Sequence, residues 1–416
     1  MTHFQRKVKG IVFLRTVLHK NVNPHSLYVH WQSSTVMFLK VLCVLNAFAL
    51  VQCCNSFGSI NVQVQDKAQR VFNRTIKGCI SKKSFTDDAF VSHTWIREQP
   101  VLRLKTGAVE NTPDLEFVKF SHCKIASITP NAFRDVPNLQ GVHIEHGSLT
   151  LIKRNVFKGS QIPRLLELSL AHNEISNIEV KAFAYSTFRK LSLSNNKLAK
   201  WYPGWFTDAS ATPIDADAFN QLSSKPLSEN YTISPLEEID FSNNLLTELP
   251  LDTLIALPNL KVFNLDANRI LSIEPGTFHR TKLDTLRLAR NRLAYVDPKW
   301  FPKPFRLSHL TLNANKLNFI PEEFFQRVHP SLLALDGNPM TCACQTKTMR
   351  ALYSKNYEIE TTENCSWPNV PICIGLEDGV CAEEVDEGVT RQYHEAIISA
   401  LRNVSASIRD QCYSLD

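Results

Sequence analysis

Between positions 236 and 317 the apolar residues recur in one spaced figure, written four times. Leu236, Ile239, Phe241, Asn244 and Leu246 return as Leu260, Phe263, Leu265, Asn268 and Ile270, then as Leu283, Leu286, Leu288, Asn291 and Leu293, and then as Leu307, Leu310, Leu312, Asn315 and Leu317. The steps between Ile239, Phe263, Leu286 and Leu310 are 24, 23 and 24 residues. Apolar side chains at alternate positions predict a short strand with one buried face, and the Asn arrives where that strand must turn and its backbone groups need a partner. Each unit then continues with an apolar residue and a Phe, such as Ile273 with Phe278 or Val296 with Phe301, which close the wedge from its outer side. One unit cannot bury its own apolar face, so the pattern predicts a stack with a continuous core and covered ends.

Four further units precede these. Leu115, Val118, Phe120 and Ile125 carry Cys123 in the Asn position; Leu139, Val142, Ile144 and Leu149 carry Gly147; Leu165, Leu168, Leu170, Asn173 and Ile175 follow, then Phe188, Leu191, Leu193, Asn196 and Leu198. The step from Leu191 to the next equivalent position, Ile239, is then 48 residues, two periods, with no clear L-x-x-L-x-L between. Ile214, Ala218, Phe219 and Leu222 in that gap match the back half of a unit, and a polar run from Ser223 to Ser234 follows. Either a degenerate unit or an irregular loop, at about 207–235, fits the gap. A partial unit at Leu333, Leu335 and Asn338 ends the series.

The spacing L-x-x-L-x-L-x-x-N-x-L resembles the leucine-rich repeat superfamily. That resemblance implies an α/β fold: a right-handed solenoid, or horseshoe, with a parallel β-sheet on the concave face and short helical or irregular segments on the convex face. It also implies that stacked Asn side chains bond neighbouring backbone in a ladder. Cys123 is then read as a buried thiol in a ladder position, with a bridge to Cys79 as the alternative. Extracellular members often carry a four-cysteine N-terminal cap. Only Cys79 stands in this region, so residues 54–113 form an irregular cover of another kind, for which the alternation of Ile60, Val62 and Val64 offers a first strand and Leu102, Leu104 and Val109 a degenerate turn.

After the repeats of 114–338, Pro339 and Met340 lead into Cys342 and Cys344, which looks like the C-terminal cap of extracellular leucine-rich repeats and spans 339–390 here. The resemblance implies Cys342–Cys365 and Cys344–Cys381, leaving Cys373 and Cys412 to tie the tail to the cap; six cysteines allow fifteen pairings, so spacing alone fixes none. Zinc is the competing reading of C-x-C, disfavoured in an exported chain. In 391–416, Tyr393, Ile397, Leu401, Val404 and Ile408 recur at helical spacing, which predicts an amphipathic helix packed on the cap or, with more heptads than are present, a coiled coil.

The chain's start points to export. Residues 1–36 are an upstream stretch or a long n-region, and 37–53 resemble a signal peptide: Met37, Lys40, an apolar run from Val41 to Val51 interrupted by Asn46, and a cleavage point near Cys53 or Cys54. Such a run is shorter than the roughly 20 residues that span a bilayer, and no membrane span is expected. Six of the eleven cysteines fall in the last 75 residues, which suits an oxidising compartment. Acceptor sequons stand at Asn73, Asn230, Asn364 and Asn403. The formal charge of +6 does not indicate a nucleic-acid partner: Arg6, Lys7, Lys9, Arg15, Lys20 and Lys40, with no acid before residue 54, account for all of it.

Side chains between the buried positions are expected to form columns across the concave sheet. One column reads His122, His146, His172, Asn195, Asn243, Ala267, Arg290, Ala314; its neighbour reads Lys119, His143, Ser169, Ser192, Asp240, Asn264, Arg287, Thr311. Successive histidines suggest either a metal or proton-sensitive contact or a merely solvated face. Asp240, Asp266, Arg287 and Arg290 give mixed charge that would orient a protein partner. No H-E-x-x-H, G-x-S-x-G, P-loop or dinucleotide turn occurs. The reading is a secreted, glycosylated binding protein without cofactor or metal, similar to secreted insect leucine-rich repeat proteins, including those of innate immunity. Its partner would be a protein or a microbial or cell-surface macromolecule, met at Lys119, His122, His143, His146, His172, Asp240, Asp266, Arg287 and Arg290. Surplus cysteines also permit a homo- or hetero-oligomer. The alternatives are an extracellular-matrix or cell-adhesion protein and a secreted enzyme using the histidines.

Overall fold

Strands of three to seven residues cannot stand alone, and here the inner ones, between residues 117 and 334, are each paired on both sides by their counterparts one repeat away. The computed structural model describes residues 56–85, 90–206, 234–361, 370–376, 379–405, 409, 412 and 413. Its long sheet has thirteen strands: β1 Phe57–Asp66, β2 Val71–Gly78, β3 Val91–Arg97, β4 Phe117–Ser121, β5 Gly141–Glu145, β6 Glu167–Ser169, β7 Lys190–Ser192, β8 Glu238–Asp240, β9 Val262–Asn264, β10 Thr285–Arg287, β11 Phe305–Thr311, β12 Val328–Ala334 and β13 Glu358–Glu360. The order is β2-β1-β3 and then sequential to β13, parallel throughout from β3 onward. Val118, Val142, Leu168, Leu191, Ile239, Phe263, Leu286, Leu310 and Leu333 stand in one register and are all buried. Further along each rung a second set of short parallel ribbons forms, for example Leu151–Ile152 with Asn177–Ile178 and Glu248–Leu249 with Ser272–Ile273. Helix is scarce, and the fold is a parallel β-solenoid. Phe278 and Phe301 close the outer side as expected, stacked at 4.9 Å.

The Asn ladder supplies the turn's missing partners. Asn291, fully buried, donates from Nδ2 to Leu288 O of its own rung at 3.1 Å and to Leu265 O of the rung before at 3.0 Å, and its Oδ1 accepts from Ile270 N at 3.0 Å. Asn196, Asn244, Asn268, Asn315 and Asn338 repeat the two-carbonyl donation. Cys123 fills the same position with a thiol whose single S–H faces Ile96 O of the rung before at 3.4 Å and Ser121 O of its own at 3.3 Å, and it is not bridged to Cys79. Burial raises that thiol's pKa, which keeps it a protonated donor.

The stack's start is covered by an antiparallel hairpin. β1 pairs with β2 on one side and β3 on the other, burying Ile60, Val62 and Val64. At the break after the fourth repeat, Leu191 is the direct register partner of Ile239, so no extra rung interrupts the sheet there. Trp201 seals the outer side, its ring 5.0 Å from Phe241 and its Nε1 donating to Thr253 O at 2.9 Å. Ile214, Ala218, Phe219, Leu222 and Asn230 lie outside the described residues, as do the whole of 1–55 and Asn364 and Cys365.

At the far end α1 (Glu322–Arg327), α2 (Cys342–Ser354) and α3 (Glu387–Ala400) form a disulfide-bonded cap. Cys344 bonds Cys381, the partner the resemblance gives it, but Cys342 bonds Cys373 and not Cys365. The reason is a backbone bridge. Cys342 N donates to Ile374 O and Ile374 N to Met340 O, both at 2.9 Å, which brings Cys373 beside Cys342 with Cα atoms 4.9 Å apart. Cys373 is therefore not available to Cys412, which is itself disulfide-bonded. The amphipathic helix begins four residues earlier than expected because Asp386 caps it, its Oδ1 accepting from Gly388 N and Val389 N. Val389, Tyr393, Ile397 and Leu401 are buried with Ile374, Cys412 and Tyr413, so the stripe is consumed by the cap and leaves no coiled-coil face.

Candidate recognition face

Residues that alternate with the buried set project from the sheet's exposed face. Register places Lys119, His143, Ser169, Ser192, Asp240, Asn264, Arg287 and Thr311 in one row across β4 to β11, as the sequence spacing predicts, and extends it to Trp95 on β3. A second row runs His93, Phe117, Gly141, Glu167, Lys190 and Glu238. Over β3, β4 and β5 the two rows hold a strip of partly buried rings: His93 stacks on Trp95 at 5.7 Å, lies 5.7 Å from Phe117, and Phe117 meets His143 edge-on at 4.8 Å. The strip depends on Gly141. A Cβ there would come within 2.4 Å of Phe117 Cδ2, so the missing side chain lets the ring lie flat across the neighbouring strand.

Beside the rings sits a charge network around Glu145. Glu145 meets Lys119 Nζ at 2.5 Å, accepts from Ser169 Oγ at 2.6 Å and lies 3.3 Å from His143 Nδ1, while His143 Nε2 lies 3.0 Å from Glu167. Partial burial alone would raise the Glu145 carboxyl, but the hydrogen bonds of His143, Lys119 and Ser169 outweigh it and hold the group far below the ordinary carboxylate range. Glu145 therefore stays a carboxylate at physiological pH.

The histidine column is placed differently from expectation. His122, His146 and His172 follow the strand ends and lie in the turn, with φ of +56°, +52° and +55°; Asn195, Asn243, Ala267, Arg290 and Ala314 share that left-handed geometry. The chain has to reverse there to send the next residue into the ladder, and His and Asn are among the few non-glycine types that tolerate such φ. The three imidazoles are exposed and stack face to face, at 4.2 Å in both steps with interplanar angles of 9° and 15°. Rings stacked in this way do not converge on a point, and no group of metal-ligating side chains occurs among the described residues. His146 titrates below the ordinary imidazole range because of partial burial first and its two imidazole neighbours second.

The central charges are less available than their spacing suggests. Asp266 accepts from Ala289 N at 2.7 Å and from Thr311 Oγ1 at 3.3 Å, and burial raises its carboxyl, so it is a turn-bracing group. Asp240 accepts from Ser242 N at 2.9 Å, an Asx-type brace. Glu237 and Glu238 are paired by Lys261, Arg189 and Lys190. Arg287 is exposed on β10, and Arg290 sits half-buried in its turn. Of the sequons, Asn73 is exposed on β2 and Asn403 beyond α3. His93, Trp95, Phe117, Glu145 and Glu167 were not marked by the sequence pattern, although the alternation of Ser92, Thr94 and Ile96 with His93, Trp95 and Arg97 carries the signal.

Comparison of the sequence with known proteins agrees with this architecture. The family pattern described as Leucine rich repeat matches residues 234–283 and 281–340, and that of the BspA type Leucine rich repeat region (6 copies) matches 103–226. Human Leucine-rich repeats and immunoglobulin-like domains protein 3 is 32% identical over 168 residues, covering 38% of this chain but 14% of its own length. Lumican of Rattus norvegicus is 30% identical over 263 residues, with 55% of this chain and 75% of lumican aligned. Among solved structures, a chain of the mouse RP105/MD-1 complex superposes with a TM-score of 0.49 at 18% identity, over 70% of this chain and 46% of that one. The chain therefore spans only about a seventh of the first relative and three quarters of the second. On the matched repeats and the alignment along most of lumican, this chain belongs to the leucine-rich repeat family.

Proposed function

We propose that this chain is an exported, non-catalytic binding protein that recognises another protein through the exposed face of its long sheet, with innate immunity as its setting. The observation that carries the reading is the ring strip: Trp95, Phe117, His93 and His143, partly buried across three adjacent strands beside the Lys119–Glu145 ion pair. Aromatic anchors at the centre of a contact dominate binding energy, and a face braced by the Asn ladder loses little entropy when a partner docks. The two cap disulfides support export, and no helix among the described residues is long and apolar enough to cross a membrane. The test is affinity capture from body fluid and from intact cells, with the full chain and with its Trp95→Ala/Phe117→Ala variant, each checked for folding by circular dichroism. A protein held at least about tenfold more tightly by the unaltered chain is expected. Equal retention by both would refute the reading, and the source that yields the partner separates a fluid-borne ligand from a cell-surface one.

A further inference from the structure

We propose that Asn73 carries an N-linked glycan that closes the open edge of the long sheet against pairing with a second copy of this chain. Asn73, Arg74 and Thr75 form an uninterrupted acceptor sequon in the middle of β2, with Asn73 and Thr75 both exposed. Modification joins the Asn73 side-chain nitrogen to C1 of an oligosaccharide delivered as a lipid diphosphate. The C1–O bond to the diphosphate breaks, the lipid diphosphate leaves with that electron pair, and the amide nitrogen loses one proton.

The need for a guard comes from the sheet's two ends. At one end β13 has three residues, two of them Glu358 and Glu360, and a short acidic strand resists pairing. At the other end β2 has eight residues, no proline and an unbroken register from Val71 to Lys77, and among the described residues it is paired on one side only, by β1. Val71 is 54% exposed, and Arg74 lies over the Phe72 ring at 5.1 Å. Lys77 is thus left as the edge's outlying charge, close to one end. A long regular edge of this kind is a template for a second strand, and a bulky, hydrated substituent at its centre removes the space that strand needs.

Register also fixes where the glycan stands. Asn73 is opposite Gln63, and Gln63 opposite Trp95, so the attachment point shares the ring strip's face at two strand spacings, about 10 Å from the Trp95 backbone. The glycan therefore bounds the exposed face at its N-terminal end and leaves the rows from β4 onward open.

The full chain is produced in a eukaryotic secretory host, and its glycosylated peptides are mapped by mass spectrometry. Self-association is read by sedimentation velocity over a concentration series. Four variants are compared with the unaltered chain: Asn73→Gln and Thr75→Ala, which abolish the sequon through different residues; Thr75→Lys, which abolishes it but adds an edge charge; and Asn403→Gln, which removes a sequon far from the edge. Occupied Asn73 is expected, with Asn73→Gln and Thr75→Ala associating at least about tenfold more tightly than the unaltered chain, and Thr75→Lys and Asn403→Gln matching it. Endoglycosidase trimming of the folded, unaltered chain reads the same effect without any substitution, so a variant that misfolds does not spoil the comparison. An unmodified Asn73 overturns the proposal, as does a glycan-free β2 that stays as monomeric as the glycosylated one.

Discussion

Replacement of Asn291 by Ala measures what one ladder rung is worth. The side chain is fully buried and makes three close bonds: donation to Leu265 O at 3.0 Å and Leu288 O at 3.1 Å, and acceptance from Ile270 N at 3.0 Å. A fourth contact, to Ala289 O at 3.3 Å, is too long to add much. Ala leaves one donor and two acceptors without these partners, and each unsatisfied buried group costs about 1–3 kcal/mol, the carbonyls least because each has a second lone pair. The sum is about 3–5 kcal/mol, a large part of the roughly 5–15 kcal/mol typical of a folded domain. Asn291→Cys should lose less, because at Cys123 a thiol in the ladder position reaches the carbonyl of the rung before, Ile96 O, and so keeps one of the three bonds. Urea unfolding with the disulfides kept oxidised reads both values, provided the slope m is unchanged between variants. A loss under about 1 kcal/mol for Asn291→Ala, or equal losses for Ala and Cys, would refute the claim that the amide acts through these bonds.

Two further outcomes follow from the geometry. His329, hydrogen-bonded through Nδ1 to Tyr357 at 2.7 Å, and His394 on α3 both titrate below the ordinary imidazole value of 6.5, chiefly through burial. The folded chain therefore binds fewer protons than the unfolded chain in the window just below that value. Their contribution is complete above it and is lost as pH falls, so the urea midpoint should drop between about pH 7.5 and 5.5, and drop less in a His329→Gln/His394→Gln variant. An identical drop in the variant would sink this assignment. At His146, Asn should be tolerated within about 0.5 kcal/mol, whereas Val should cost about 1–3 kcal/mol by calorimetry, because the position demands a left-handed backbone that β-branched residues resist. Equal stability of the two variants would show that φ does not govern the choice of residue there.

The stack was legible because its determinants are local and periodic. Burial at Ile239 and Phe263 follows from alternation, and the need for Asn244 and Asn268 follows from the turn behind each strand. What resisted reading depends on where regularity stops. Spacing gives a period but not the residue at which a strand ends, so His122, His146 and His172 looked like strand positions although the first two lie one residue past the strand's end and His172 three. The Cys342–Cys373 bond depends on Ile374 pairing with the backbone around Thr341, a long-range contact that carries no periodic mark. The ring strip was hidden because Thr94, fully buried in β3, is polar by type and breaks the apolar template that would have exposed His93 and Trp95 as the alternate set.

On the proposed reading, binding energy belongs to the first rungs because of how the charges are disposed. Across the middle of the sheet, Lys190 with Glu238, Lys261 with Glu237 and Arg189 with Glu237 sit one rung apart. Exposed pairs of this kind are worth about 0–1 kcal/mol each, so they contribute little to stability, but a partner that inserts its own charge must first break them. Asp240 and Asp266 are bound into turns and cannot move to meet a ligand without loosening the rung. The rings of His93, Trp95 and Phe117 carry no such debt: they are partly buried, Phe117 lies flat over Gly141, and the neighbouring Glu145 has its charge answered by Lys119. A docking surface there gains the burial of aromatic area without dismantling an ion pair, while Arg287 five strands further along remains exposed to set the partner's orientation rather than its affinity.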